Sequence, residues 1–126
     1  MSESASLVVY KLERSTKFII DLELIFDYLA ESYIAFGEPP IEAYENAARR
    51  IREFEESFEQ IAAMPHQGTL RQDLLPDLRN VTKDRAIIYF QVDDNAKRVR
   101  LLAVFYGGQD RQRHMLKRML GGEVDK

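Results

Sequence analysis

Cysteine is absent from this 126-residue chain, which removes disulfides, thiolate catalysis and cysteine-based zinc sites from its chemistry. Histidine occurs only at His66 and His114, neither within an H-x-x-x-H or H-x-E arrangement, so neither a metal site nor any cofactor is expected. No run approaches the roughly 18 consecutive apolar residues that a bilayer span requires. The start, Met1-Ser2-Glu3-Ser4-Ala5, lacks the basic flank of a signal peptide, and a cytoplasmic protein without membrane contact is the expectation. There is no internal repeat and no low-complexity segment. Gly107-Gly108 is too short for a phosphate-binding fingerprint and is better read as a tight strand-to-helix turn.

What the sequence does contain is the composition of a folded domain, 45% hydrophobic and 31% charged, far from the polar bias of disordered chains. A single domain over 1–126, with its core at about 7–120, fits that length. The net charge of −3 conceals a split. Residues 1–63 carry 6 Lys/Arg against 13 Asp/Glu (−7), and residues 64–126 carry 12 against 8 (+4). The second half can therefore present a local positive surface, while a pI of about 5.4 opposes general affinity for nucleic acid.

Leu7 to Leu12 is short, β-branched and aromatic, and reads as a first strand ended by Glu13-Arg14. Ser15 is a helix N-cap candidate. From Thr16 to about Ala35, Phe18, Leu22, Ile25, Phe26, Leu29 and Tyr33 recur at helical spacing, with Asp21, Asp27 and Glu31 placed mostly on other faces. Gly37 and Pro39-Pro40 break that helix and start another. In the second helix Ala47, Ile51, Phe54, Phe58 and Ile61 form the buried stripe, and Arg49, Arg52, Glu55, Glu56 and Glu59 lie off it. After Pro65 the period is lost, and Gly68, Asp73, Pro76 and Asp77 mark a loop before a strand from Leu78 to Thr82. Arg85–Val92 and Arg98–Tyr106 form a hairpin about Asp93-Asp94-Asn95. In the last strand, strict alternation places Val99, Leu101, Ala103 and Phe105 on one face and Arg100, Leu102, Val104 and Tyr106 on the other. A final helix from about Gln109 to Leu120 completes an α+β order of β-α-α-β-β-β-α. The sheet is mainly antiparallel and four-stranded, with the helical hairpin on one face and the short C-terminal helix near the other.

Candidate functional residues are mostly basic. Arg71, Arg79, Lys83 and Arg85 approach and enter the central strands, and Arg98, Arg100, Tyr106 and Arg111 lie near the sheet's end. Guanidinium forks on a rigid sheet suit phosphate or carboxylate, although charges at strand edges also serve simply to prevent aggregation. The C-terminal helix sets Met115, Leu116, Met119 and Leu120 among Arg111, Arg113, Lys117 and Arg118, which suits either docking on the sheet or an exposed target-binding patch.

Several stretches together carry a family resemblance. They are Phe58 to Gly68 with its Pro65-x-x-Gly68 turn, Leu78-Arg79, Ile87 to Asp93, Val104 to Asp110, and Phe26-Asp27-Tyr28-Leu29-Ala30-Glu31 in the first helix. In order and spacing they resemble the RelE/ParE toxin superfamily, closest to its ParE, or plasmid-stabilisation, branch, over roughly residues 7 to 118.

The resemblance implies a RelE/ParE-like fold and the toxin component of a type II toxin–antitoxin module. A cognate antitoxin would silence it, in a toxin–antitoxin hetero-oligomer. ParE-like members inhibit DNA gyrase, whereas RelE-like members cut messenger RNA in the ribosome. If the chain is a gyrase inhibitor, Arg71, Arg79, Arg85, Arg111, Met115, Lys117, Arg118 and Met119 are the candidates for binding target or antitoxin. If it is an mRNA endoribonuclease, Arg79, Lys83 and Arg85 would hold phosphate and Tyr106 would orient or protonate. A family member that binds its antitoxin without poisoning anything is the third reading. Where a common family ending reads His-Gly-x-Arg-Asp, this chain has Tyr106-Gly107-Gly108-Gln109-Asp110; the missing His and Arg favour the inhibitor reading.

Overall fold

Ser15 shows how closely local sequence signals are obeyed. Its hydroxyl oxygen accepts the Phe18 backbone N–H at 3.1 Å and donates to the Leu102 carbonyl at 3.3 Å, so one side chain both caps a helix and ties it to the sheet. The computed structural model describes residues 8–107 and Lys117. Its elements are β1 (Lys11–Arg14), α1 (Thr16–Ala35), α2 (Pro40–Ala63), β2 (Thr69–Leu70), β3 (Leu78–Lys83), β4 (Ala86–Asp93) and β5 (Arg98–Tyr106). At the end of α1, Gly37 takes a left-handed φ of 104° while its N–H bonds the Ile34 carbonyl at 2.9 Å, a glycine C-cap. Pro39 and Pro40 then open α2, where a missing N–H costs nothing.

The sheet has five strands in the order β1-β5-β4-β3-β2, one more than expected, because Thr69 and Leu70 pair with Asn80 and Arg79. All pairings are antiparallel except β1 with β5. The first strand begins later than its apolar run suggests. The Tyr10 N–H bonds the Ala62 carbonyl at the end of α2, so pairing starts only at Lys11, and Glu13 and Arg14 belong to the strand. As a sheet-edge strand, β1 accommodates these charges.

A second correction concerns β5. Its register with β4 passes from Tyr89 opposite Ala103 to Phe90 opposite Leu101, leaving Leu102 as the extra residue of a β-bulge. Alternation therefore changes phase in mid-strand. Val99, Leu101, Val104 and Tyr106 pack with the helices, and Leu102, Ala103 and Phe105 pack on the opposite face. Asp21 is involved: instead of facing water, it is buried and its carboxylate accepts the Val104 N–H at 3.1 Å.

The main core lies between the helical hairpin and the sheet, where Phe18, Leu22, Phe54, Phe58 and Ile61 meet Ile88, Phe90 and Leu101. Phe18 and Phe58 meet edge to face with centroids 5.1 Å apart. Each such ring, fully buried, contributes about 1.5–3 kcal/mol. The opposite face holds Leu78, Tyr89, Leu102, Ala103 and Phe105, against which Leu74 and Leu75 of the β2–β3 connection pack. The expected C-terminal helix, about 109–120, lies outside the described residues apart from Lys117, which is exposed. No helix among the described residues is long and apolar enough to cross a membrane.

Candidate functional site

The bulge in β5 decides where Tyr106 points, and three other elements converge on it. From α1, Tyr28 brings its ring to 6.0 Å from the Tyr106 centroid. From α2, Phe54 approaches edge-on at 5.8 Å, and Arg50 stacks over Phe54 at 4.9 Å. From the β3–β4 turn, the Arg85 guanidinium lies 5.6 Å above the Tyr106 ring, a cation–π distance. That turn is built from Asp84 and Arg85 with φ of 50° and 70°, the doubly left-handed geometry of a tight hairpin, here without glycine. Arg85 is thus a turn residue rather than the first residue of a strand.

Arg50 fastens the cluster. It donates to the Asp84 carbonyl at 3.2 Å and to Glu53 at 3.2 Å, with the Asp84 carboxylate 3.9 Å away. Burial works against its charge, but the hydrogen bond to Tyr106 and the Glu53 and Asp84 carboxylates outweigh it, and its pKa is raised. Arg50 belongs to this cluster, and sequence reasoning passed it over. The usable signal was its position four residues before Phe54, hence on the same side of α2.

The remaining candidates are dispersed. Arg79 donates to the His66 carbonyl at 2.8 Å, pinning the segment that leaves α2. It lies four residues from Lys83 on β3, roughly 13 Å along a strand. Arg71 forks onto Asp73 at 3.0 and 2.9 Å. The Asp73 hydrogen bond raises the Arg71 pKa and that of Arg71 lowers Asp73's, with Tyr89 a smaller contributor to Arg71. Tyr89 belongs to the face opposite Tyr106, so Arg71 and Tyr106 serve different sides of the sheet. Arg98, paired with Glu13 at 3.1 Å, and Arg100 line a hollow of about 950 Å³ with Asp77, Gln91 and Asp93. Arg111, Met115, Arg118 and Met119 lie outside the described residues.

A second polar cluster joins three chain segments. The Tyr10 hydroxyl donates to Asp94 Oδ1 at 2.7 Å, and His66 Nε2 lies 2.7 Å from the same oxygen. Hydrogen bonding to Asp94 raises the Tyr10 pKa. The Tyr10 hydrogen bond, then that of His66, holds the Asp94 carboxyl below its usual range. Among the described residues no group of three or more His, Asp or Glu could hold a metal ion.

Residues 39–111, from the start of α2 past the end of β5, match the family described as the ParE toxin of type II toxin-antitoxin system, parDE. The chain belongs to the ParE toxin family. Arg50, Phe54, Arg79, Lys83, Arg85 and Tyr106 all fall within the match, and Tyr28 lies before it.

Solved structures share the ParE fold. The chromosomal ParDE system of P. aeruginosa is similar at 20% identity and a TM-score of 0.58, covering 78% of this chain and 96% of that one. The toxin–antitoxin complex RelBE2 from Mycobacterium tuberculosis is similar at 18% and 0.55, covering 82% and 97%. A doubly mutated E. coli toxin RelE in the free state is similar at 10% and 0.55, covering 87% and 96%. These identities carry the fold. No curated protein matches the chain in sequence.

Proposed function

We propose that this ParE-family toxin acts by binding, as an inhibitor of DNA gyrase, and is silenced by a cognate antitoxin. The observation that carries this reading is the separation of Arg79 from the other residues a nuclease would need beside it. Arg79 is committed to a backbone carbonyl and lies roughly 13 Å along β3 from Lys83, while Tyr106 lies against the Tyr28 and Phe54 rings. A nuclease requires a phosphate clamp and an acid–base group within hydrogen-bond reach of one reacting phosphate. An inhibitor requires only a complementary surface. The ParDE and RelBE2 structures, described as a toxin–antitoxin system and complex, support an antitoxin partner. An acidic antitoxin segment suits the positive second half of the chain.

One observation favours a ribosome-dependent mRNA endoribonuclease instead: Lys83, Arg85 and Tyr106 meet at one end of the sheet. Purified antitoxin-free protein in a gyrase supercoiling assay, and in a translating extract with primer-extension readout, separates the two. Loss of supercoiling without cleavage is expected. Codon-phased cuts with supercoiling intact would overturn the proposal, and Arg85→Ala should then abolish the cuts while Arg79→Ala leaves them. Absence of both effects, with the antitoxin still bound, would identify a non-toxic member.

A further inference from the structure

Between Lys17 and Arg49 the chain has no Lys or Arg, yet it has seven acidic residues: Asp21, Glu23, Asp27, Glu31, Glu38, Glu42 and Glu45. All but Asp21, which is buried on Val104, are at least partly exposed. The segment comprises nearly all of α1 and the first turns of α2, so the tip of the helical hairpin is purely acidic. The same tip exposes large apolar side chains. Phe36 is 89% exposed and Ile41 73%, with Tyr44 at 52% and Ile34 at 38%.

The backbone beneath Phe36 is fully bonded, since the N–H groups of Phe36, Gly37 and Glu38 all reach carbonyls of residues 32–34. Phe36 is therefore an aromatic anchor held out on a fixed turn, the preorganised projection that makes an interface hot spot. Nothing in the core needs it there.

We infer that the acidic hairpin tip, with Phe36 and Ile41 as anchors, is the surface by which the toxin engages its target, a protein presenting an apolar pocket rimmed by Lys and Arg. Charge complementarity selects this occupant. A second copy would bring another acidic tip against the first, and an acidic antitoxin segment would be repelled in the same way, whereas a basic rim is attracted. A protein surface that ordinarily holds a polyanion has that character. The inference rests on the proposed inhibitor reading and sharpens it: the antitoxin takes the positive half of the molecule and the target takes the negative hairpin.

The test uses the full-length double variant F36A/I41A, the charge reversal E42K/E45K, and M64A as an exposed apolar control elsewhere. Binding to purified DNA gyrase and to the antitoxin is measured alongside circular dichroism, sedimentation and growth arrest. Both double variants should keep their fold and antitoxin affinity but bind gyrase about tenfold or more weakly, with M64A unchanged. Gyrase binding equal to wild type, loss of antitoxin affinity, or a wild-type dimer that F36A/I41A dissociates would each overturn the inference. If wild type does not bind gyrase, the gyrase assignment fails and growth decides for the surface. Arrest lost only in the two hairpin variants would support it with another target. Arrest retained by them, or no arrest by wild type, would overturn it.

Discussion

Replacing Asp21 tests the phase change in β5 directly. Asp21 is 6% exposed and Val104 1%, so Asp21→Ala strands a buried N–H that no water can reach and removes a charge-assisted hydrogen bond. That loss costs about 2–3 kcal/mol, a large share of the roughly 5–15 kcal/mol that holds a domain together. For a chain of this size it corresponds to a fall in Tm of roughly 6–12 °C. Asp21→Asn keeps an acceptor oxygen at the same place and should cost only about 1 kcal/mol. Urea unfolding monitored by circular dichroism gives both values, and amide hydrogen exchange supplies a local readout: the Val104 N–H should lose protection in the alanine variant before its strand neighbours do. If Asp21→Ala stays within about 0.5 kcal/mol of wild type, the range of ordinary surface substitutions, and Val104 remains protected, Asp21 does not pin the bulge and the account of β5 is refuted.

Three further outcomes are expected. Tyr106→Phe keeps the ring between Tyr28 and Phe54 and loses only a partly exposed hydroxyl, so it should cost at most about 1 kcal/mol and leave growth arrest intact; abolished arrest in a folded variant would favour the nuclease. Because the Asp94 carboxyl is held down in the folded chain, its contribution is fully present above the unfolded value near about 4 and is lost as pH falls through the folded value. Tyr10→Phe should therefore move the Asp94 NMR titration upward, and an unmoved midpoint would remove Tyr10 as its cause. Gly68→Ala should be destabilising by more than about 1 kcal/mol, since at φ 80° a Cβ would land on the Asn80 backbone carbonyl; unfolding midpoints equal to wild type would show that the β2–β3 pairing is dispensable.

The helical hairpin and the central strands were legible because their signals are periodic. Phe18, Leu22, Phe54 and Phe58 recur at helical spacing and all are buried, and β5 spans Arg98 to Tyr106 as its composition suggests. The bulge was not legible. Leu101 to Phe105 is apolar throughout, so no polar residue marks where alternation slips, and the information sits 83 positions away in Asp21, which looks like one more solvent-facing acid. The site was partly legible for a related reason. Arg85 and Tyr106 were named as candidates, but Tyr28, and Phe54 with Arg50 stacked on it, come to the Tyr106 end of the sheet only through the packing of α1 and α2. Arg79 stands apart from Lys83 because positions four apart on a strand, though close in the text, lie roughly 13 Å from each other.

The parallel pairing of β1 with β5 joins Lys11 to Arg98, which sets a timetable for synthesis. When α1 is complete at Ala35, the strand that covers Leu22 and Ile25 does not yet exist. At about 5–20 residues per second, the 71 residues to Tyr106 take roughly 4–14 s. Through that interval α1 and then α2 carry apolar faces that only each other can cover, and contacts of such long range are slow to form once the chain is finished. The protein thus completes its sheet, and with it the Tyr106 cluster, only when β5 has been made.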